Sequence, residues 1–305
     1  MNRLYIKMLT LLCFSNFFSG DFIETSKECP TDTGCYIHDC FFIYTNGAVV
    51  LSNINLVVEK SYFFSCYHKN YAAGIYFQTN NGGCAINKCC FYNCYRESGY
   101  GQALMVYLKT EFYLIESTVT KCNNSLVSGM FAYAYEGVQT VERSNFSHLA
   151  SDYYPGLYLS KATTGKADFC THYGNNATGY ICICFASGSY EVNKNNIANC
   201  QQKSPDCGVF SCDYGGTVTV KDSVFVNNIG PYFWASGTLS IIDSWSDKNT
   251  IQGNVYISIY LHVTQTLELF HLKTGMCENP VIKVHTNIPK SRNMAIIFLF
   301  FNLLD

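Results

Sequence analysis

At 305 residues, with 48% hydrophobic and 14% charged residues and a formal net charge of −2, the chain has a core to bury and is not a disordered polymer. So balanced a charge creates no field to gather phosphates or acidic headgroups, which argues against nucleic acid as a partner. The 24 tyrosines, 22 phenylalanines and 17 cysteines beside only 6 prolines point to aromatic-rich strands.

Residues 1–20 read as a signal peptide. Arg3 and Lys7 form a basic flank, the apolar run from Met8 to Phe18 follows, and Ser19-Gly20 supplies small residues before the polar stretch from Asp21 to Pro30. A secreted or cell-surface location follows as the expectation. The sequons at Asn123, Asn145 and Asn176 fit passage through a glycosylating lumen. Residues 21–36 are expected to cap the first repeat, locked by Cys29 and Cys35.

Residues 37–261 carry a nine-residue pattern that recurs with a period near 26. Its first, apolar positions are Ile37, Val58, Ile86, Leu114, Val141, Ala167, Val192, Val220 and Ile241. Three residues later stands a small residue (Cys40, Ser61, Cys89, Ser117, Ser144, Cys170, Asn195, Ser223, Ser244). Five residues later a bulky one dominates: Phe42, Phe63, Phe91, Val119, Phe146, His172, Ile197 and Phe225, with Ser246 last. Eight later, Cys and Asn prevail, as at Cys66, Cys94, Cys122, Asn175, Cys200 and Asn228. Within each repeat a glycine then opens an apolar run, such as Gly74-Ile-Tyr-Phe or Gly208-Val-Phe-Ser, which reads as a strand entered through a turn. Strands this short bury their apolar faces only by stacking repeat on repeat. The fold class expected is all-β, a right-handed parallel β-helix of about nine to ten rungs, with Phe42, Phe63, Phe91, Phe146 and Phe225 in a common interior stack. Alternation along a strand turns Asn145 and Trp245 outward.

Residues 262–280 are expected to form a capping rung. Leu267 lies 26 residues after Ile241, so residues 267–272 read as the final strand, with Phe270 plugging the open end. In the tail, residues 281–305, the apolar stretch from Met294 to Leu304 is too short for a bilayer span. It leaves an anchor signal or a truncated anchor as the only membrane connection in the chain.

Cys89-Cys-Phe-Tyr-Asn-Cys94, Phe225-Val-Asn-Asn228 and Gly82-Gly-Cys-Ala-Ile86 resemble the FxxN and GGA[ILV] repeats of bacterial polymorphic outer-membrane proteins. The Cys/Tyr-rich texture is similar to β-helix surface families of protist parasites, and the resemblance covers about residues 35 to 260. It implies a pectin-lyase-like solenoid used for display or adhesion, with no catalytic residue to carry over.

The candidate chemistry is sparse. Cysteines stacked in one column have parallel Cβ vectors, which suit buried thiols better than disulfides. Cys29, Cys35, Cys207 and Cys212 are the better disulfide candidates, and the absence of any C-x-x-C pair argues against zinc. A charged column follows each repeat start, read as Asp39, Lys60, Lys88, Glu116, Arg143, Asp168, Lys194, Asp222 and Asp243; mixed signs make it a wet face first. Within it Asp222 and Asp243 form a weak candidate acidic site for Ca²⁺ or a shared proton. His172 replaces a phenylalanine in an inward column and reads as a hydrogen-bonded core histidine before a ligand or acid–base group. The tyrosines could line a strip that binds sugar or protein. No catalytic, cofactor-binding or metal residue is assigned. The expectation is a non-catalytic, surface-displayed scaffold for a host or cell-surface protein or glycan; the alternative is a polysaccharide-active β-helix lyase or glycoside hydrolase.

Overall fold

The computed structural model describes residues 22–24, 34–52, 55–70, 72–97, 102–123, 132–204, 206–261, 266–268 and 277. All of the elements among these are strands, and they coil into a parallel β-solenoid of about seven turns. Each regular turn contributes three strands. The first face is built from Leu56–Glu59, Cys84–Asn87, Glu111–Ile115 and their successors; the second from Tyr62–Phe64, Cys90–Tyr92, Thr118–Thr120 and onward; the third from Ile75–Thr79, Leu104–Leu108, Ala132–Tyr135 and onward.

The apolar starts of the sequence repeat form one unbroken ladder on the first face. Ile37 pairs with Val58, then Ile86, Leu114, Val141, Ala167, Val192, Val220 and Ile241 in order. The bulky column does the same on the second face, running Phe42, Phe63, Phe91, Val119, Phe146, His172, Ile197, Phe225. Phe63, Phe91, Phe146 and Phe225 are wholly buried, while Phe42, near the end of the coil, is half-buried. Rings stack face to face along this column at 4.8 Å for Phe42–Phe63 and 4.6 Å for Phe63–Phe91, the spacing that adjacent parallel strands impose. A third inward ladder, Leu51, Phe77, Val106, Ala134, Leu159, Phe185, Cys212, Ala235, closes the core.

The small-residue columns are corners, and their chemistry explains their composition. Between the first and second faces one residue per turn adopts the left-handed conformation: Asp39, Lys60, Lys88, Glu116, Arg143, Phe169, Lys194, Asp222 and Asp243 have φ between 46° and 55°. That conformation costs about 1–2 kcal/mol for a residue with a Cβ. The amides of Asp39, Lys60, Lys88, Glu116, Arg143, Phe169 and Lys194 keep their ladder bond to the next turn, as in Lys60 N–H to Asn87 O at 3.0 Å and Arg143 N–H to Asp168 O at 2.9 Å. The residue after it is turned inward, and at Cys40, Cys89, Ser117, Cys170, Asn195 and Ser223 a short polar side chain of the following turn accepts its N–H. The Cys89 N–H donates to Ser117 Oγ (3.1 Å), the Asn195 N–H to Ser223 Oγ (3.1 Å) and the Ser223 N–H to Ser244 Oγ (3.2 Å). Each serine hydroxyl in turn donates to the carbonyl two residues before it, at 2.8–2.9 Å for Ser61, Ser117, Ser144, Ser223 and Ser244. The column is small because it must be short, and polar because it satisfies buried backbone groups.

The second corner repeats the device. Tyr44, Ser65, Asn93, Lys121, His148, Gly174, Asn199 and Asn227 are left-handed, and the residue after each faces in. Here thiols take over part of the role: Cys94 Sγ donates to Phe63 O at 3.3 Å and Cys66 Sγ to Phe42 O at 3.4 Å. Asn228 does both jobs, accepting the Cys200 N–H at 2.8 Å and donating to Ile197 O at 2.9 Å while 1% exposed. Asn228→Ala is expected to cost about 1–3 kcal/mol in chemical denaturation, the range for stranding a buried amide. Asn228→Ser, which keeps an acceptor, should recover part of it; equal losses for both would show that the side chain only fills space.

Three expectations need correcting. Phe169, not Asp168, holds the corner of its turn; Asp168 lies one residue earlier and pairs with Glu142 and Asn193 in the adjoining column. The ladder of starts continues after Ile241 to Ile257, not Leu267, because the strand Ile251–Leu261 follows at once on the long strand Phe233–Ser246 without the usual loop. Leu267 is in no strand and packs on the outside of the second face against Ala198, Val224, Val226 and Trp245. Phe270, Leu272 and the apolar stretch from Met294 to Leu304 lie outside the described residues, as do residues 1–20. Among the described residues no helix is long and apolar enough to cross a membrane.

Candidate functional site

Alternation sends every second residue of the third face outward, and there the tyrosines collect. One outward column runs Val50, Tyr76, Met105, Tyr133, Tyr158, Cys184, Ser211, Trp234. Its neighbour runs Ser52, Gln78, Tyr107, Tyr135, Ser160, Ala186, Asp213. Two further rings, Tyr154 and Tyr180, come from the loops between the second and third faces of successive turns, tied by a Tyr154 N–H to Ile181 O bond of 2.9 Å.

Seven rings are in continuous contact. Tyr135 meets Tyr107 (5.4 Å between centroids), Tyr107 meets Tyr133 (5.4 Å), Tyr133 meets Tyr158 (5.2 Å) and Tyr158 meets Tyr154 (4.6 Å). Tyr154 meets Tyr180 (5.8 Å), which meets Tyr153 (5.5 Å). Tyr133, Tyr154 and Tyr158 form the buried floor; Tyr107, Tyr135 and Tyr180 are half-buried, and Tyr153 is 41% exposed. The Lys161 ammonium lies over the Tyr135 ring at 4.8 Å.

A carboxylate stands at one edge. Asp213 is 5% exposed, and its Oδ1 accepts the Ser236 hydroxyl at 2.8 Å and the Tyr214 N–H at 2.7 Å. Burial, with the negative charge of Asp213 as a smaller contributor, pushes the phenols of Tyr154, Tyr158 and Tyr180 up. Phenols raised in this way stay protonated at neutral pH, so they offer hydroxyl donors and ring faces and do not act as bases.

The other candidates fall elsewhere. Asp222 and Asp243 occupy neighbouring corners of the coil, away from the tyrosines. Asp168 is bound into an ion-pair ladder, with Lys166 at 2.9 Å from its Oδ2 and the Asn193 amide at 2.9 Å from its Oδ1. Along the corners, Glu116 lies between Lys88 (3.6 Å) and Arg143 (3.2 Å). Among the described residues no group of three or more His, Cys, Asp or Glu is placed to hold a metal ion. His172 is buried in the phenylalanine column, stacked on Phe146 at 4.9 Å, and its Nδ1 has no hydrogen-bond partner among the described residues; the expected core hydrogen bond at that nitrogen is missing. Asn145 and Trp245 do face outward, both half-buried, and the amide oxygens of Asn145 and Asn176 are shielded, whereas Asn123 is exposed.

Cys207 and Cys212, expected in disulfides, are buried free thiols, as are the column cysteines Cys66, Cys94 and Cys122. Cys35 is disulfide-bonded, and Cys29 lies outside the described residues. The pair that the repeat reading missed is Cys90–Cys277. A signal for half of it exists: Cys89 faces in, so its neighbour Cys90 must face out.

No protein-family model, curated protein or solved structure matches the chain.

Proposed function

We propose that this chain is a secreted or surface-displayed scaffold, a right-handed parallel β-helix of nine to ten rungs, whose tyrosine-lined third face binds a cell-surface glycan or protein. The handedness rests on the near-universal right-handed crossover between parallel strands. The rung count rests on the nine starts of the repeat, extended by Ile257 in the same ladder. Display and adhesion rest on the leader-like residues 1–20, the exposed sequon at Asn123 and the motif resemblance to outer-membrane and protist surface repeats.

The observation that carries the reading is the continuous run of seven tyrosine rings beside the Asp213 carboxylate. Tyrosine supplies large contact area with few rotors to freeze and a hydroxyl to orient the ligand. Here Tyr133 and Tyr158 are fixed by the strands that carry them and Tyr154 by its bond to Ile181, so binding orders little else.

The test is binding of the full chain to an array of neutral and acidic oligosaccharides and to intact cells. Tyr153→Ala with Tyr180→Ala is expected to weaken capture at least about tenfold, as removal of aromatic anchors does at recognition surfaces. Tyr256→Ala, on the last strand and 64% exposed, should leave it unchanged. Equal capture by the double variant would remove this face from the reading. New reducing ends or unsaturated products from acidic polysaccharides would replace it with a degradative enzyme.

A further inference from the structure

Two contacts tie described residues beyond the last strand to the outside of the second face. Leu267 is bound to Asn196 by a two-way amide clamp: its N–H donates to Oδ1 at 2.7 Å and its carbonyl accepts from Nδ2 at 3.0 Å. Ten residues later Cys277 is joined to Cys90, with Cα atoms 5.7 Å apart. Asn196 and Cys90 belong to one outward column, Cys90, Thr118, Asn145, Thr171, Asn196. Four strand spacings, about 19 Å, separate them, well within the roughly 33 Å that ten extended residues span.

Beyond Cys90 the same column continues as Tyr62 and Phe41, whose rings stack at 4.9 Å. Beside it Phe64 and Tyr92 stack at 5.1 Å, with Ile43 in the same outward line. These five side chains and Cys277 line one apolar groove. Phe41 is 62% exposed, a large aromatic surface left wet two strand spacings from the Cys90–Cys277 link.

We propose that residues 278–284 continue this path and lay Pro280, Val281 and Ile282 into the groove, so that the C-terminal segment is a strap running back over the second face toward the start of the coil. The sequence after Cys277, Glu-Asn-Pro-Val-Ile-Lys-Val, has the needed chemistry. Pro280 holds Asn279 and itself extended, and it gives up no ladder hydrogen bond by lying against side chains. Two strand spacings, about 10 Å, carry the path from Cys90 to Phe41, which three extended residues cover. The disulfide decides between this occupant and a second copy. It tethers the segment at the groove's mouth, at an effective concentration in the millimolar range that a separate molecule does not reach in dilute solution.

Hydroxyl-radical footprinting of the full chain, read by mass spectrometry, tests the strap. Phe41 and Tyr62 should oxidise several-fold faster in a chain ending at Cys277 than in the full chain, while Tyr214, 65% exposed elsewhere, oxidises equally in both. Should the truncated chain fold poorly, the full-length double variant Val281→Asp, Ile282→Asp is expected to give the same gain. Unchanged oxidation of Phe41 and Tyr62 in both would overturn the proposal. So would protection that rises with protein concentration, because the groove would then be filled by a second copy.

Discussion

Phe91→Ala is expected to cost about 3–5 kcal/mol in chemical denaturation, the range for deleting a fully buried aromatic ring. The ring is wholly enclosed, lying flat against Phe63 at 4.6 Å, with Val119 opposite it in the next turn. Over the strand that opens the third face, Gly74 has no room for a side chain, since a Cβ there would sit 2.7 Å from the Phe91 ring and equally close to the Ala103 carbonyl. Backbone so closely placed cannot collapse into the hole, so the cavity term is retained in full. In a stack where each turn touches only its neighbours, the loss also uncouples the turns on either side. Tyr92→Ala, the adjacent outward residue, should cost less than half as much. A loss below about half a kcal/mol for Phe91→Ala would place that column outside the core.

His172→Phe is expected to stabilise the chain at neutral pH and to flatten its response to acid. Burial pushes the His172 imidazole down to about 3, so the ring is neutral in the folded chain throughout the ordinary pH range. The unfolded chain takes up that proton near pH 6.5. Between those values the unfolded state binds the extra proton, so stability is whole above pH 6.5 and falls as the pH drops through the window toward 3. Each unit is worth about 1.4 kcal/mol, which gives roughly 2 kcal/mol between pH 6.5 and 5. Phenylalanine has no proton to take up, and it removes a buried ring nitrogen whose missing partner costs about 1–3 kcal/mol. Thermal melts at pH 7.5 and pH 5 check both effects. Equal acid sensitivity in the two proteins would mean that another group carries it. A destabilised variant with a flattened response would mean that the larger ring overpacks the column.

The fold was legible because the repeat is enforced three times per turn by geometry. Ile37 through Ile241 and Phe42 through Phe225 fall into single ladders since a one-residue slip would exchange core for solvent along the whole coil. Reading the corner column as tight was correct but incomplete. Ser117 or Asn195 is chosen for its oxygen as much as for its size, and only the stacked backbone reveals which N–H it receives. The slip at Asp168 is one of register: every other corner lies two residues after its start, and two after Ala167 is Phe169, whose aromatic ring breaks the charged composition that Asp168 fits. Period alone also misplaced the end of the coil, for the last strand follows without its loop and brings Ile257 into line 16 residues after Ile241. The tyrosine face was half-visible: alternation predicts outward tyrosines, but Tyr154 and Tyr180 enter from loops whose path carries no period. The Cys90–Cys277 link joins residues 187 apart, across a stretch that no repeat connects.

The uniformity of the corners has a bearing on how such a chain can change in length. Each turn offers the next one a recurring set of partners: ladder amides at the left-handed residue, one inward N–H and, in most turns, one short polar acceptor. A turn is therefore an interchangeable cassette. Excising residues 138–163 would bring Val138's successor Thr164 onto Glu111 and Phe146's successor His172 onto Val119, with Cys170 facing the Ser117 N–H that Ser144 Oγ now accepts. Genetic duplication or loss of one cassette shortens or lengthens the coil by one strand spacing and leaves its ends intact. A lineage carrying this fold can thus change the length of its coil by recombination within the gene.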